Sequence, residues 1–134
     1  MESPLHRTLV DLTVEYFRQN VPKDSFCFIE IDREGCTRPH KVGCAVPDVR
    51  FKWQTSYLIG EAKTIADFDK SHSREQYCSY LDELKWYNGE CALVVAVPFQ
   101  ISNDAFNYFK HLKDKEGYLS RVVILDNFNI VRSV

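Results

Sequence analysis

Residues 91–97, Cys-Ala-Leu-Val-Val-Ala-Val, form an unbroken apolar run. A strand of this kind has no polar face to offer water, so it must be covered on both sides. A chain that contains one therefore needs a sheet with helices above and below it. The flanking sequence supplies those parts. Ser3-Pro4 reads as an N-cap followed by a first-turn proline, and Leu5, Leu9, Leu12 and Tyr16 follow at helical spacing, with Phe17 beside them. This predicts a helix to about Asn20. Phe26 to Ile31, rich in aromatic and β-branched residues, predicts a strand. Asp32 to Gly43 is a polar connection broken by Gly35, Pro39 and Gly43.

A second strand is expected around Asp48–Phe51. Gln54-Thr55-Ser56 turns the chain, and Tyr57 to Lys63 is a third strand. After a loop over 65–70, Ser73 with Gln76 forms a capping box, and Tyr77, Tyr80, Leu81 and Leu84 give the following helix its apolar stripe. That helix stops near Asn88-Gly89. Ser102-Asn103-Asp104 opens a third helix to about Lys115. Arg121 to Asp126 is a strand, and Phe128 to Val131 extends the sheet as a short edge. The early turns are short enough for antiparallel pairing, and the later strands are separated by helices, as parallel crossovers require. The expected fold is α/β, a mixed sheet flanked by helices in the order α-β-β-β-α-β-α-β, as one domain over residues 1–134.

Composition narrows the class. No apolar segment approaches the roughly 20 residues that span a bilayer, and the N-terminus lacks a signal-peptide pattern. Five scattered cysteines (Cys27, Cys36, Cys44, Cys78 and Cys91) read as reduced thiols of a cytoplasmic protein. Cys36, His40 and Cys44 lack an evident fourth partner for zinc. Net charge is −2, but between Arg33 and Arg74 eight Lys/Arg face five Asp/Glu. That local excess suits a phosphate backbone, with Arg50, Lys52, His72 and Arg74 as candidate contacts.

Within that segment lie Pro47-Asp48, Glu61-Ala62-Lys63 and Gln76-x-x-x-Tyr80. Phosphodiester hydrolysis needs an activated water, neutralisation of charge on the phosphate, and help for the leaving oxygen. Mg²⁺ or Mn²⁺ meets these needs with one or two carboxylates as protein ligands. Asp48 and Glu61 fall on adjacent predicted strands, with twelve residues between them for one turn. Strand residues two apart share a face, so Lys63 joins Glu61 while the Ala62 carbonyl is a further ligand. An ammonium there can orient the attacking water and stabilise developing charge. Gly60 allows close backbone approach.

These motifs, on the second and third strands after an N-terminal helix, resemble the PD-(D/E)XK nuclease superfamily. The match takes in the order of elements over most of the chain. Gln76-x-x-x-Tyr80 on the next helix is similar to the extra motif of its RecB-like branch. The resemblance implies a restriction-endonuclease-like fold and a Mg²⁺- or Mn²⁺-dependent nuclease acting on DNA, or alternatively RNA, with endonuclease action favoured. It implies that Gln76 positions the site, that Tyr80 supports substrate contact, and that an acid from the first helix joins the metal, for which Glu15 is the candidate. The iron–sulfur cysteines of some RecB-like members are not evident, so no cluster is expected. A chain this small has no room for a large specificity domain, so a homodimer or a specificity-providing partner protein is expected.

Each residue also has a plainer use. Asp48 after Pro47 suits a turn. Glu61 and Lys63 can pair on a solvated strand face. Gln76 can serve only the capping box, Tyr80 the core, and Glu15 the surface. His6, His40, His72 and His111 can be structural or surface groups, with His72 placed to touch phosphate. A nuclease-like fold used without turnover, as a nucleic-acid-binding or assembly subunit, is the alternative function.

Overall fold

In the computed structural model, which describes residues 2–134, the first helix, α1 (Pro4–Asn20), opens as its sequence dictates. Ser3 Oγ accepts the His6 amide at 3.1 Å, and Pro4 occupies the first turn. The buried face is Leu9, Val10, Thr13, Val14 and Phe17, rotated from the expected Leu5/Leu9/Leu12/Tyr16 stripe. Leu5 is exposed, and Leu12 and Tyr16 pack only at the margin.

The expected strand over Phe26–Ile31 is mostly not one. Residues Lys23–Phe28 wind into a 3-10 turn after Pro22, and only Ile29–Ile31 pairs, as β1. Serine chemistry competes here: Ser25 donates its N–H and hydroxyl to the Pro22 carbonyl. β2 (Val49–Trp53) and β3 (Ser56–Ala62) form a hairpin whose turn places Gln54 at φ 55°. Next come α2 (Ser71–Lys85), β4 (Glu90–Val97), α3 (Ser102–Glu116), β5 (Arg121–Asp126) and β6 (Val131–Ser133). The last strand sits later than the expected Phe128–Val131. Asp126 Oδ1 accepts the amides of Phe128 and Ile130 and turns the chain before it can pair.

The six strands lie side by side in chain order. β1, β2 and β3 are antiparallel, β3, β4 and β5 are parallel, and β6 returns antiparallel to β5. Alternate side chains of β4 supply two cores. Ala92, Val94 and Ala96 meet α1, while Leu93, Val95 and Val97 meet α2 and α3. All six are fully buried, as an uninterrupted apolar strand requires. Among the described residues no helix is long and apolar enough to cross a membrane.

α1 rests directly on β3 because Gly60 has no side chain. A Cβ at that position would lie 2.6 Å from Thr13 Cγ2 and 3.2 Å from the Phe17 ring. Thr13 and Phe17 are themselves fully buried and have little room to retreat. Gly60→Ala is therefore expected to lower unfolding free energy by about 1–3 kcal/mol through overpacking, read as a reduced urea midpoint. An unchanged midpoint would show that α1 shifts freely on the sheet.

Candidate active site

The parallel strands end together. Ala62 pairs in register with Ala96, and Val97 with Asp126. The N–H of Lys63 donates to the Ala96 carbonyl at 2.9 Å, extending β3 by one residue. Glu61 and Lys63 leave this edge on the α2 side, following the alternation of Tyr57 and Ile59 in that core. Both are buried, at 4% and 8% exposure, so they are not a solvated strand face.

The hairpin brings Asp48 opposite. Val49 pairs with Gly60, so the residue before Val49 meets Glu61. Asp48 Oδ2 accepts the Ala62 amide at 2.8 Å, which fixes the carboxylate against the strand end. Two acids are thus held together in a poorly hydrated place. Burial, then the charge of Asp48, pushes the Glu61 carboxyl well above its ordinary value. Burial alone would also raise Asp48. Hydrogen bonds from His6, Glu61 and the Ala62 amide outweigh it and hold Asp48 below its ordinary value. A proton taken up by the pair therefore goes to Glu61 before Asp48.

α2 supplies one support for each member of the Glu-x-Lys pair. Tyr80 Oη donates to Glu61 Oε1 at 2.7 Å, and Lys63 Nζ donates to Gln76 Oε1. One helical turn separates Gln76 from Tyr80, so both project from the same face. The capping-box expectation for Gln76 fails because α2 begins three residues early, with Lys70 rather than Ser73 as its N-cap. Ser73 instead bonds the Asp67 carbonyl, leaving Gln76 to meet Lys63. Tyr80 is fully buried and is both core aromatic and carboxylate donor. Burial, then the charge of Glu61, pushes its phenol far up, so it stays protonated and donating.

His6 is the residue missed in the sequence. Its Nε2 lies 3.4 Å from Asp48 Oδ2, and its Nδ1 lies 2.7 Å from Glu2 Oε2. The hydrogen bond to Asp48 raises the imidazole to about 9, the first of several causes. It is therefore a cation at neutral pH. Nothing local marks it, because only the antiparallel lie of α1 across β3 brings the first helical turn to Asp48. Grooves open on both sides of His6. One of about 520 Å³ is lined by Glu2, Ser3, His6, Thr64 and Asp67. The other, about 410 Å³, runs past Arg7, Arg33 and Arg38 to Asp48.

The structure does not bring every candidate here. Glu15 faces away, in a separate groove of about 380 Å³ with Gln19, Asp126 and Asn129, and contacts neither Asp48 nor Glu61. The rotated stripe of α1 explains this, since the helix presents His6 to the site. Arg50 pairs with Glu30 at 2.9 Å and donates to the Tyr57 hydroxyl, one strand pair away from Asp48. Lys52 lies farther along β2, its ammonium 4.9 Å from the centre of the Tyr57 ring. Arg74 is turned to Glu116 on α3 at 3.1 Å, and His72 is exposed on the first turn of α2.

Asp48, Glu61 and the Ala62 carbonyl suit a hard, oxygen-seeking cation that keeps several of its waters. Among the described residues no three His, Cys, Asp or Glu side chains form a preformed cage. Mg²⁺ or Mn²⁺ needs none. Two apposed carboxylates, one of them pushed up by burial and by the other's charge, fit a divalent ion between them. No protein-family model, no curated protein and no solved structure matches this chain.

Proposed function

We infer that this protein is a divalent-metal-dependent nuclease of the PD-(D/E)XK type, with a restriction-endonuclease-like arrangement of its sheet, acting on DNA. The observation that carries this reading is the convergence of Asp48, Glu61 and Lys63 at one sheet edge. Tyr80 holds one member and Gln76 another. Asp48, Glu61 and the Ala62 carbonyl would hold Mg²⁺ or Mn²⁺, which when bound supplies charge neutralisation and a more acidic water. Lys63, with its ammonium fixed by Gln76, orients the attacking water and stabilises negative charge gathering on the phosphate. Tyr80 keeps Glu61 in its rotamer. His6, paired with Asp48, steadies that carboxylate from the α1 side.

Incubation with linear, closed circular, single-stranded and branched DNA, and with RNA, in Mn²⁺, Mg²⁺ or EDTA tests the reading. Metal-dependent cutting is expected, lost in Asp48→Asn, and cutting of closed circles assigns endonuclease action. A silent metal titration together with retained nucleic-acid binding would instead assign a binding or assembly subunit without turnover.

A further inference from the structure

Two aromatic rings stand open to solvent beside the site. Phe99 is 43% exposed and Phe128 is 61% exposed. Their rings pack against each other in a tilted arrangement, with centroids 4.4 Å apart and planes 31° apart. Single exposed apolar side chains are ordinary, whereas two touching rings with exposed Ile130 and Val131 close by in the chain offer a contiguous apolar contact surface.

Its place in the fold is specific. β4 and β5 end in register at Val97 and Asp126, and each ring follows two residues later. Both therefore leave the sheet edge that carries Glu61 and Lys63. Lys63 is hydrogen-bonded to Ala96, and Phe99 lies three residues beyond Ala96. That is at most about 11 Å of chain, roughly the length of three stacked nucleotides.

The backbone beneath the rings is fixed. The Phe99 amide donates to Asn127 Oδ1 at 2.8 Å, and buried Asp126 accepts the Phe128 amide at 2.8 Å. α3 begins at Ser102, just past Phe99, and α2 begins after the loop leaving Lys63, so both helices turn their positive ends to this edge. Phosphates are favoured there while bases meet the rings.

Resting on the nuclease reading, we propose that Phe99 and Phe128 form a base-stacking shelf for the strand being cut. The substrate class is then single-stranded or locally unpaired nucleic acid. Bases inside a duplex offer no open face to such a shelf, whereas unpaired bases of any identity do. A second copy of the chain seated on the rings would cover the edge by which a polyanion reaches Lys63.

Binding of a single-stranded oligonucleotide carrying a fluorescent purine analogue, measured in EDTA, tests this against a duplex of the same sequence. With Phe99→Ala/Phe128→Ala, single-strand affinity is expected to fall about ten- to a hundredfold, quenching of the analogue to vanish, and duplex binding to stay constant. Phe99→Trp, which keeps a stacking face, is expected to retain affinity and guards against a folding defect. Unchanged affinity and quenching in the double variant would overturn the shelf. So would conversion of a dimer to monomers in sedimentation, which would assign the rings to a protein interface. Metal-dependent cutting with binding insensitive to both rings removes the shelf alone. Absence of both cutting and nucleic-acid binding removes the nuclease reading and the shelf with it.

Discussion

Lys63→Ala is expected to reduce metal-dependent cleavage by about a hundred- to a thousandfold, chiefly in kcat, with little change in unfolding midpoint. The buried ammonium donates to the side-chain carbonyl of Gln76, which is only partly buried and can take water instead. Stability therefore has little to lose. Activity has much to lose, because a cation held near the scissile phosphate interacts most strongly when negative charge has gathered in the transition state. Gln76→Ala leaves the charge but frees its position, so its loss is expected to be smaller and in the same direction. Single-turnover rates at saturating substrate, alongside urea unfolding of each variant, separate the two effects. Full cleavage in both Lys63→Ala and Asp48→Ala would remove these residues from the chemistry.

Strand alternation made the centre of this site readable. Glu61 and Lys63 share a face because they are two apart on β3, and a short hairpin returns Asp48 beside them. Period-two geometry is local and survives whatever packs around it. What failed depended on phase or on distant contacts. The apolar residues of α1 allow two helical stripes, and the true one runs through Val10, Thr13 and Phe17, of which Thr13 and Phe17 fit against the sheet because Gly60 has no side chain. With that phase, Glu15 turns to the β5–β6 side and His6 reaches Asp48. Gln76 was ambiguous for another reason. A serine three residues before a glutamine signals a cap, but Ser73 finds a carbonyl in the preceding loop. Phe26 to Phe28 has strand composition, yet Pro22 and Ser25 start a tighter turn first.

Affinity for Mg²⁺ or Mn²⁺ is expected to rise with pH, about tenfold per unit for each proton that binding displaces. The displaced proton is that of Glu61, held well above its ordinary value by burial and then by the neighbouring Asp48 charge. The same proton governs the stability of the metal-free protein. Folded Glu61 binds it more tightly than unfolded Glu61, so stability falls as pH rises from the ordinary value of 4.5 through the raised one. His6 acts in the same direction: its stabilising charge is complete below 6.5 and is lost as pH passes through about 9. Asp48 acts oppositely, losing its contribution as pH drops below 3.8 through its depressed value. The metal-free protein is thus expected to be most stable in weakly acidic solution and to weaken toward alkaline pH. Metal held by Asp48 and Glu61 would replace the Glu61 proton and flatten that alkaline decline, so the increase in Tm on adding Mn²⁺ is expected to grow with pH. Glu61→Gln keeps an acceptor for Tyr80 but has no proton to release, and should weaken both metal binding and its pH dependence. Calorimetric titrations in two buffers of different ionisation enthalpy count the released proton directly. A metal shift that is constant across pH, with no proton released, would place the ion away from Glu61.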